Sequence, residues 1–129
     1  MNELRDKPSA FASVDQRIQI IITILNGEID QQCSLEELAR VVNLSSSRMR
    51  HLFKDHTGLT PAAYLKTLRL EKAKELLETT FLSLKEIMKR IGVQDKSHFA
   101  RDFKSVYGLS PSRYRRLHGE DGARSNKNP

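Results

Sequence analysis

Residues 34–115 contain a repeat whose two copies lie about 50 residues apart. The first copy reads SLEELARVVNLSSSRMRHLFKDHTGLTPAAYL from Ser34, and the second reads SLKEIMKRIGVQDKSHFARDFKSVYGLSPSRYR from Ser83. The copies align at an offset of 49 in their first parts and of 50 afterwards, so that Gly58 matches Gly108 and Tyr64 matches Tyr114. A repeat of this length predicts two units with the same local structure.

Each copy opens with the sequence pattern of a short helix. Ser34 and Ser83 are each followed three residues later by a glutamate, which is the capping-box pattern of a helix start. Apolar residues then recur at spacings of three and four, as on one face of an amphipathic helix. Asn43 and Gly92 follow, and these residue types best tolerate the left-handed backbone that closes a helix.

A second helix follows in each copy, beginning in the serine run at 45–47 or at Asp95, and ending at Gly58 or Gly108. Its predicted core residues are Met49, Leu52 and Phe53 in the first copy, and Phe99, Phe103 and Val106 in the second. A Thr-Pro or Ser-Pro pair then starts a third helix. The connection between the first two helices is too short for them to lie side by side, so we expect a helix-turn-helix.

The other face of each second helix is polar and mostly basic. It carries Ser46, Ser47, Arg48, Arg50, His51 and Lys54 in the first copy, and Lys96, Ser97, His98, Arg101 and Lys104 in the second. This mixture suits phosphate contacts combined with reading of base edges in a major groove. A protein-binding α-solenoid fragment would also show apolar stripes, but solenoids generally need roughly three or more repeats. We therefore favour double-stranded DNA as the partner.

The distribution of charge supports a polyanionic partner. Residues 1–44 hold four Lys/Arg and seven Asp/Glu, a net charge of −3, whereas residues 45–118 hold 16 and seven, a net charge of +9. The basic excess therefore begins at the second helix of the first copy. A positive surface that only maintains solubility would be the simpler explanation, and charge alone does not exclude it.

Other function classes find little support. The four histidines are scattered without the spacing of a zinc protease, and we expect no enzyme activity, cofactor or metal site. The single Cys33 suits a reducing, cytoplasmic setting and a packing role. The apolar run from Ile18 to Leu25 is too short to span a bilayer, and the N-terminus lacks the apolar core of a signal peptide.

These patterns predict an all-α protein of two helix-turn-helix subdomains. We expect a flexible arm over residues 1–14, a first helix over about 15–30, and a DNA-binding region over 15–118. Within this region, the first helix-turn-helix covers about 34–57, a long linking helix about 61–78, the second helix-turn-helix about 83–107, and a final helix about 111–117. Residues 119–129 are expected to be a disordered tail. Glu71, Glu75 and Glu78 on the linking helix alternate with lysines, which suggests a solvated, ion-paired face.

The second copy, with its FARDFKSVYGLSPSRYR stretch, strongly resembles the DNA-binding domain of the AraC/XylS family of bacterial transcription regulators. The resemblance covers about Asp15 to Leu117. It implies seven helices, with two homeodomain-like helix-turn-helix motifs bridged by a stiff linking helix, and two recognition helices that enter adjacent major grooves. It also implies a bacterial protein associated with the nucleoid, and we expect an activator.

The resemblance also assigns roles to individual residues. It directs Ser47, Arg50 and His51 toward bases, with Ser46 and Lys54 nearer the phosphates. In the second motif it directs Lys96, Ser97, His98 and Arg101 toward bases, with Lys104 at the flank. Ser112 and Arg113 resemble clamps on the DNA backbone. Arg50 is the strongest candidate base reader, because arginine can bind guanine through two hydrogen bonds.

Several alternatives stay open. Many family members carry an effector-binding domain, so this chain resembles either a free-standing regulator, with no small-molecule effector within the chain, or the C-terminal domain of a longer one. RNA polymerase is a candidate second partner. The alternative function is a helical protein-interaction module without DNA specificity of its own.

Overall fold

The computed structural model describes residues 6–32 and 34–119, with side chains from Gln16 onward. The described residues form seven helices and no strand, which confirms the predicted all-α fold. The helices are α1 (Asp6–Gly27), α2 (Leu35–Val41), α3 (Ser46–Thr57), α4 (Pro61–Thr79), α5 (Leu84–Ile91), α6 (Lys96–Tyr107) and α7 (Pro111–His118). The chain divides into two compact units, Met1–Lys66 and Thr67–Pro129, and the division falls within α4.

Local capping chemistry sets the starts of α2 and α5. The Ser34 hydroxyl accepts a hydrogen bond from the Glu37 N–H at 3.0 Å. At α5 the capping box is complete, since the Ser83 hydroxyl accepts from the Glu86 N–H at 3.1 Å and the Glu86 carboxylate accepts from the Ser83 N–H at 2.7 Å. A cap of this kind stabilises a helix by about 1 kcal/mol, so short helices can begin at fixed residues.

The turns after α2 and α5 are also the same in both copies. Asn43 and Gly92 both adopt left-handed backbone, with φ of 58° and 78°. In each turn, the N–H of the next residue bonds back to a helix carbonyl, that of Ala39 or that of Met88, at 2.9 Å. This bond closes the helix end and reverses the chain within a few residues. The predicted helix-turn-helix connection is therefore present in each unit.

In the first unit, α1 and α2 both pack on α3. Its buried side chains are Ile18, Ile21, Leu25, Leu38, Ala39, Val42, Met49, Phe53 and Pro61. Phe53 and Met49 lie at the centre of this core with no exposed surface. Burial of one such side chain contributes about 1.5–3 kcal/mol to the free energy of unfolding. Because rotating α3 about its axis would expose these side chains, its apolar face fixes which side of the helix points inward.

The second unit has a core of the same type. Its buried apolar side chains are Leu70, Ala73, Leu76, Leu77, Ile87, Met88, Ile91, Phe99, Phe103, Pro111 and Tyr114. Phe103 corresponds to Phe53 in the repeat and is likewise fully buried. Helix α6 packs against α7, and the first residue of α7, Pro111, is enclosed in the core.

Helix α1 starts earlier than predicted. Residues 6–14, expected to belong to a flexible arm, are helical, and the helix ends at Gly27 rather than near Asp30. Pro8 is compatible with this start because it is the third residue of the helix, where N–H groups have no partner within the helix. Residues 1–5 of the predicted arm lie outside the described residues, as do Cys33 and residues 120–129 of the predicted tail.

Val106 is 59% exposed, so the prediction that it belongs to the core was wrong. The inner face of α6 carries Phe99, Phe103 and Tyr107, and the rings of Phe103 and Tyr107 lie 4.7 Å apart. These residues are spaced by four, which advances about 40° beyond one full helical turn. The buried stripe therefore rotates along α6 and leaves Val106 on the solvent side at its end.

Candidate nucleic-acid interface

Helix α3 presents its polar face because its apolar face is fixed in the core. The helix begins at the cap residue Ser45, whose hydroxyl accepts from the Arg48 N–H at 3.1 Å. It ends at Gly58, which adopts left-handed backbone with φ of 85°. Met49 and Phe53 point inward between these ends, so the side chains about half a turn away from them point to solvent.

Four predicted site residues meet on that outer face of α3. Ser47, Arg50, His51 and Lys54 follow the i, i+3, i+4, i+7 spacing of one helix face, and all four are exposed. Together they line a shallow groove, which Asp55 and Thr60 also line. A hydroxyl, an imidazole and two cations on one ridge supply both donors for base edges and charge for phosphates.

Ser46 lies apart from this groove. It is the first residue of α3 and is half-buried. Its position is about a quarter turn from the line through Ser47 and Lys54. Ser46 therefore lies at the flank of the α3 face and not within the groove.

Helix α6 exposes an equivalent but different face. Ser97, Arg101 and Lys104 occupy the positions that Ser47, His51 and Lys54 have in the first copy, and all three are exposed. The position of Arg50 is taken by Ala100, which is half-buried. The second face therefore has no cation at the position of Arg50 but carries Arg101 at the position of His51, so the two helices present different patterns of donors.

Lys96 and His98 are exposed at the start of α6 and flank the line through Ser97 and Arg101. The cap residue is Asp95, whose carboxylate accepts from the His98 N–H at 2.9 Å. This hydrogen bond holds the pKa of Asp95 below its usual value, and the nearby charges of His98 and Arg101 act in the same direction. Asp95 is therefore ionised beside the basic face, and it orients the first turn of α6.

The first turn of α7 exposes Ser112 and Arg113. Ser110 caps this helix, accepting from the Arg113 N–H through its hydroxyl at 3.3 Å and from the Tyr114 N–H through its carbonyl at 2.8 Å. Pro111 has no N–H, so among the described residues the Ser112 N–H is the first-turn donor that bonds to no other group. Such a donor at a helix start is suited to an anion.

Sequence reasoning missed some residues of this surface. Asp55 and Thr60 line the α3 groove, and the four-residue spacing from His51 to Asp55 could have indicated the first of them. It also missed the role of Glu78, expected to be part of a solvated face. The Lys72–Glu75 and Lys74–Glu78 ion pairs are present at 3.3 and 3.4 Å, but Glu78 also accepts a hydrogen bond from the Tyr114 hydroxyl. No local pattern signals a contact between residues 36 positions apart.

Other kinds of site find no counterpart in the part of the chain that the structure describes. None of its helices is long and apolar enough to cross a membrane. Nor do three or more His, Cys, Asp or Glu side chains there lie close enough together to hold a metal ion.

Comparison with known proteins identifies the family. A family model described as a helix-turn-helix domain matches residues 38–117, which is more than half of the chain. The chain belongs to the AraC/XylS family of transcription regulators. The match spans both helix-turn-helix motifs of this AraC/XylS-family chain and runs from α2 into the last turn of α7.

Its relatives are larger than the matched region. The HTH-type transcriptional activator RhaS of Enterobacter sp. strain 638 is 37% identical over 101 residues, which cover 78% of this chain and 36% of RhaS. The AraC/XylS-family chain thus spans little more than a third of the length of the curated relatives it matches.

Solved structures of similar chains agree in fold. The C-terminal domain of the two-component response regulator yesN from Fusobacterium nucleatum is 35% identical with a TM-score of 0.69, and the match covers 75% of this chain and 95% of that one. The DNA-binding domain of AdpA, solved in complex with a target DNA, is 28% identical with a TM-score of 0.71, covering 76% and 88%. The seven-helix architecture is therefore that of an AraC-type DNA-binding domain.

Proposed function

We propose that this chain binds double-stranded DNA sequence-specifically and regulates transcription, using α3 and α6 as its recognition helices. The observation that carries the proposal is the outer face of α3. There Ser47, Arg50, His51 and Lys54 line one groove on the exposed side of the helix, away from the buried Met49 and Phe53. A helix with this exposed face can enter a major groove, where its side chains reach base edges.

The proposed division of labour follows the position of each residue. Arg50 and His51, in the middle of the α3 face, read bases, and Ser46 and Lys54 contact phosphates. On α6, Ser97 and Arg101 read bases from the centre of the face, and Lys96 and His98 reach the edge of the site from the first turn. Lys104, Ser112 and Arg113 contact the DNA backbone.

The two recognition helices should read different sequences, because Ala100 stands where the first copy has Arg50. The binding site is therefore expected to be asymmetric, with one cluster of specified base pairs for each motif. The AdpA domain, solved with a target DNA, supports duplex DNA as the ligand. We carry this partner over to the present chain as part of the proposal.

The output of binding is proposed by analogy with RhaS, which is described as an activator. Activation would give RNA polymerase as a second partner. The setting would be the bacterial cytoplasm, at the nucleoid. The proposal does not include control by a small-molecule ligand.

Selection of bound sites from a random duplex library tests the proposal directly. We expect enrichment of one asymmetric sequence, followed by tight binding to it in a titration at two salt concentrations. The affinity should fall steeply as salt rises, because each neutralised phosphate releases counterions. A protein-interaction module without DNA specificity would enrich no sequence.

A further inference from the structure

Two long-range hydrogen bonds attach α7 to the end of α4 in the second unit. The Tyr114 hydroxyl donates to the Glu78 carboxylate. The Arg115 guanidinium donates to the Thr80 carbonyl at 3.1 Å. Tyr114 and Arg115 directly follow the exposed Ser112–Arg113 pair, so the residues that tie α7 down are adjacent to those that face outward.

The Glu78 carboxylate is itself held in place. The Lys74 ammonium lies 3.4 Å from Glu78 and 5.8 Å from the centre of the Tyr107 ring. The Tyr114 ring packs against Phe103 at 5.5 Å and against His118 at 4.6 Å between centroids. The hydroxyl of Tyr114 therefore meets an acceptor that is also ion-paired with a lysine of its own helix, α4.

The contact also changes the titration of both partners. The hydrogen bond from Tyr114 is the largest influence on Glu78 and lowers the pKa of its carboxyl. Burial, together with the bond to Glu78, raises the pKa of Tyr114 to about 12. At neutral pH the pair is thus a neutral phenol that donates to an ionised carboxylate, which is a charge-assisted hydrogen bond.

The first copy of the repeat provides an internal comparison. Tyr64 packs edge-on against Phe53 just as Tyr114 packs against Phe103. However, the residues before Tyr64 are Ala62 and Ala63, where the second copy has the polar pair Ser112 and Arg113. Of the two corresponding helix starts, the one in the second copy, α7, therefore carries the groups able to bind phosphate, and it is the helix that the hydrogen bonds to Glu78 and Thr80 hold in place.

We propose that Glu78 is a positioning residue for DNA binding. Through the Tyr114 hydroxyl, it holds α7 in the orientation that presents Ser112 and Arg113 to the DNA backbone. This inference rests on the proposed function, since it assumes that α7 meets a duplex. Glu78 does not touch DNA itself, and its effect on affinity passes entirely through α7.

The test compares Glu78→Ala with Glu78→Gln in the full 129-residue chain, on the duplex obtained by selection. Both variants lose one negative charge, but the glutamine amide oxygen still accepts from the Tyr114 hydroxyl. We expect Glu78→Ala to bind about threefold to tenfold more weakly than Glu78→Gln, the range for one lost hydrogen bond. Its salt slope should be smaller by about one phosphate contact. Thermal unfolding by circular dichroism verifies that each variant is folded at the assay temperature.

Further variants separate positioning from stability. Tyr114→Phe keeps both the ring and the Glu78 charge and should bind about threefold to tenfold more weakly than the unmodified chain, whereas the corresponding change in the first copy, Tyr64→Phe, should leave the affinity within about twofold. In an Arg113→Ala background, the difference between Glu78→Ala and Glu78→Gln should shrink or vanish, because the positioned group has gone.

Failure of the inference and failure of the proposed function give different results. If the unmodified chain binds no duplex at either salt concentration, both are overturned. If it binds, but Glu78→Ala and Glu78→Gln have equal affinities and salt slopes, only the positioning role is overturned. A difference that persists unchanged in the Arg113→Ala background would reduce Glu78 to a purely structural residue.

Discussion

The ring of Tyr64 meets the ring of Phe53 edge-on, with centroids 5.3 Å apart and ring planes 89° apart. Tyr114 and Phe103 repeat the arrangement in the second unit, at 5.5 Å and 79°. Edge-to-face pairs of this kind add about 0.5–1.5 kcal/mol to the burial of the rings. Each phenylalanine lies on the inner face of α3 or α6, the proposed recognition helices, so the tyrosine of the following helix helps to fix the direction in which that helix faces outward.

We expect Arg50→Ala and Lys54→Ala to weaken DNA binding in different ways. Arg50 lies in the middle of the α3 face, so its loss should remove about 1–3 kcal/mol of discrimination at one or two base pairs. Lys54 lies at the end of the face, and its loss should weaken binding to all sequences and lower the salt slope by about one. Affinity measurements over a set of single-base operator variants distinguish the two effects. Identical specificity profiles for both variants would contradict the proposed division between reading and anchoring.

Asp55→Asn should raise affinity for non-specific duplex DNA. Asp55 places a negative charge in the groove that Arg50 and Lys54 line, where it repels nearby phosphates. We expect an increase of about twofold to fivefold at low salt, which shrinks as salt screens the charge. Glu36→Gln is a suitable control, because Glu36 is an exposed acid on α2 that does not line this groove. An equal increase for both variants would indicate a general effect of net charge instead.

Gly119→Ala should destabilise the second unit. A Cβ atom at Gly119 would lie 2.7 Å from the Leu77 carbonyl oxygen and 2.8 Å from that of Arg115, and neither backbone atom can move freely. We expect a loss of about 1–3 kcal/mol in the free energy of unfolding, measured by urea titration.

Gly27→Ala provides the matched control for Gly119→Ala. Gly27 is the last residue of α1, and a Cβ there would meet nothing within 4 Å. The change should therefore be neutral or stabilise the chain by up to about 1 kcal/mol. Equal destabilisation by the two changes would refute the close approach as the cause.

Alkaline titration should show a last tyrosine component near pH 12 from Tyr114, although burial also raises the pKa of Tyr107 above its usual value. The pKa of Tyr114 is raised to about 12 by burial and by the bond to Glu78. The phenol is neutral in the folded chain at pH values where an unfolded tyrosine, with a pKa near 10, is already ionised. The stability that the neutral Tyr114 phenol contributes is therefore present up to about pH 10 and is lost as the pH rises toward 12. It is also lost in acid, because the lowered pKa of Glu78 means that the pair loses its carboxylate as the pH falls.

Phenolate absorbance measures the ionisation of Tyr114 directly. Tyr114→Phe should remove the component near pH 12 and leave the ionisation of Tyr107. Glu78→Gln should move the component near pH 12 to lower pH, because a neutral amide does not repel the phenolate as a carboxylate does. A component near pH 12 that survives in Tyr114→Phe would show that another tyrosine is responsible.

The helix boundaries of the repeat could be predicted from sequence because their causes are local. The caps Ser34, Ser83 and Asp95 act on N–H groups only three residues away. Gly58 and Gly108 end α3 and α6 by adopting a backbone that other residues rarely tolerate. The basic outer face of α3 could be predicted for the same reason, since helical periodicity alone places its residues on one side.

The sequence by itself therefore determined the repeat, the helices that follow α1, and which side of α3 carries the cations. Only the tertiary structure decided that Val106 is exposed, that Thr60 joins the groove, and that Glu78 meets Tyr114. Those outcomes depend on how helices distant in sequence pack together. A contact between residues 36 positions apart, such as Glu78 and Tyr114, shows no periodicity in the sequence. It arises where α7 meets the end of α4, and not from the backbone that joins neighbouring residues.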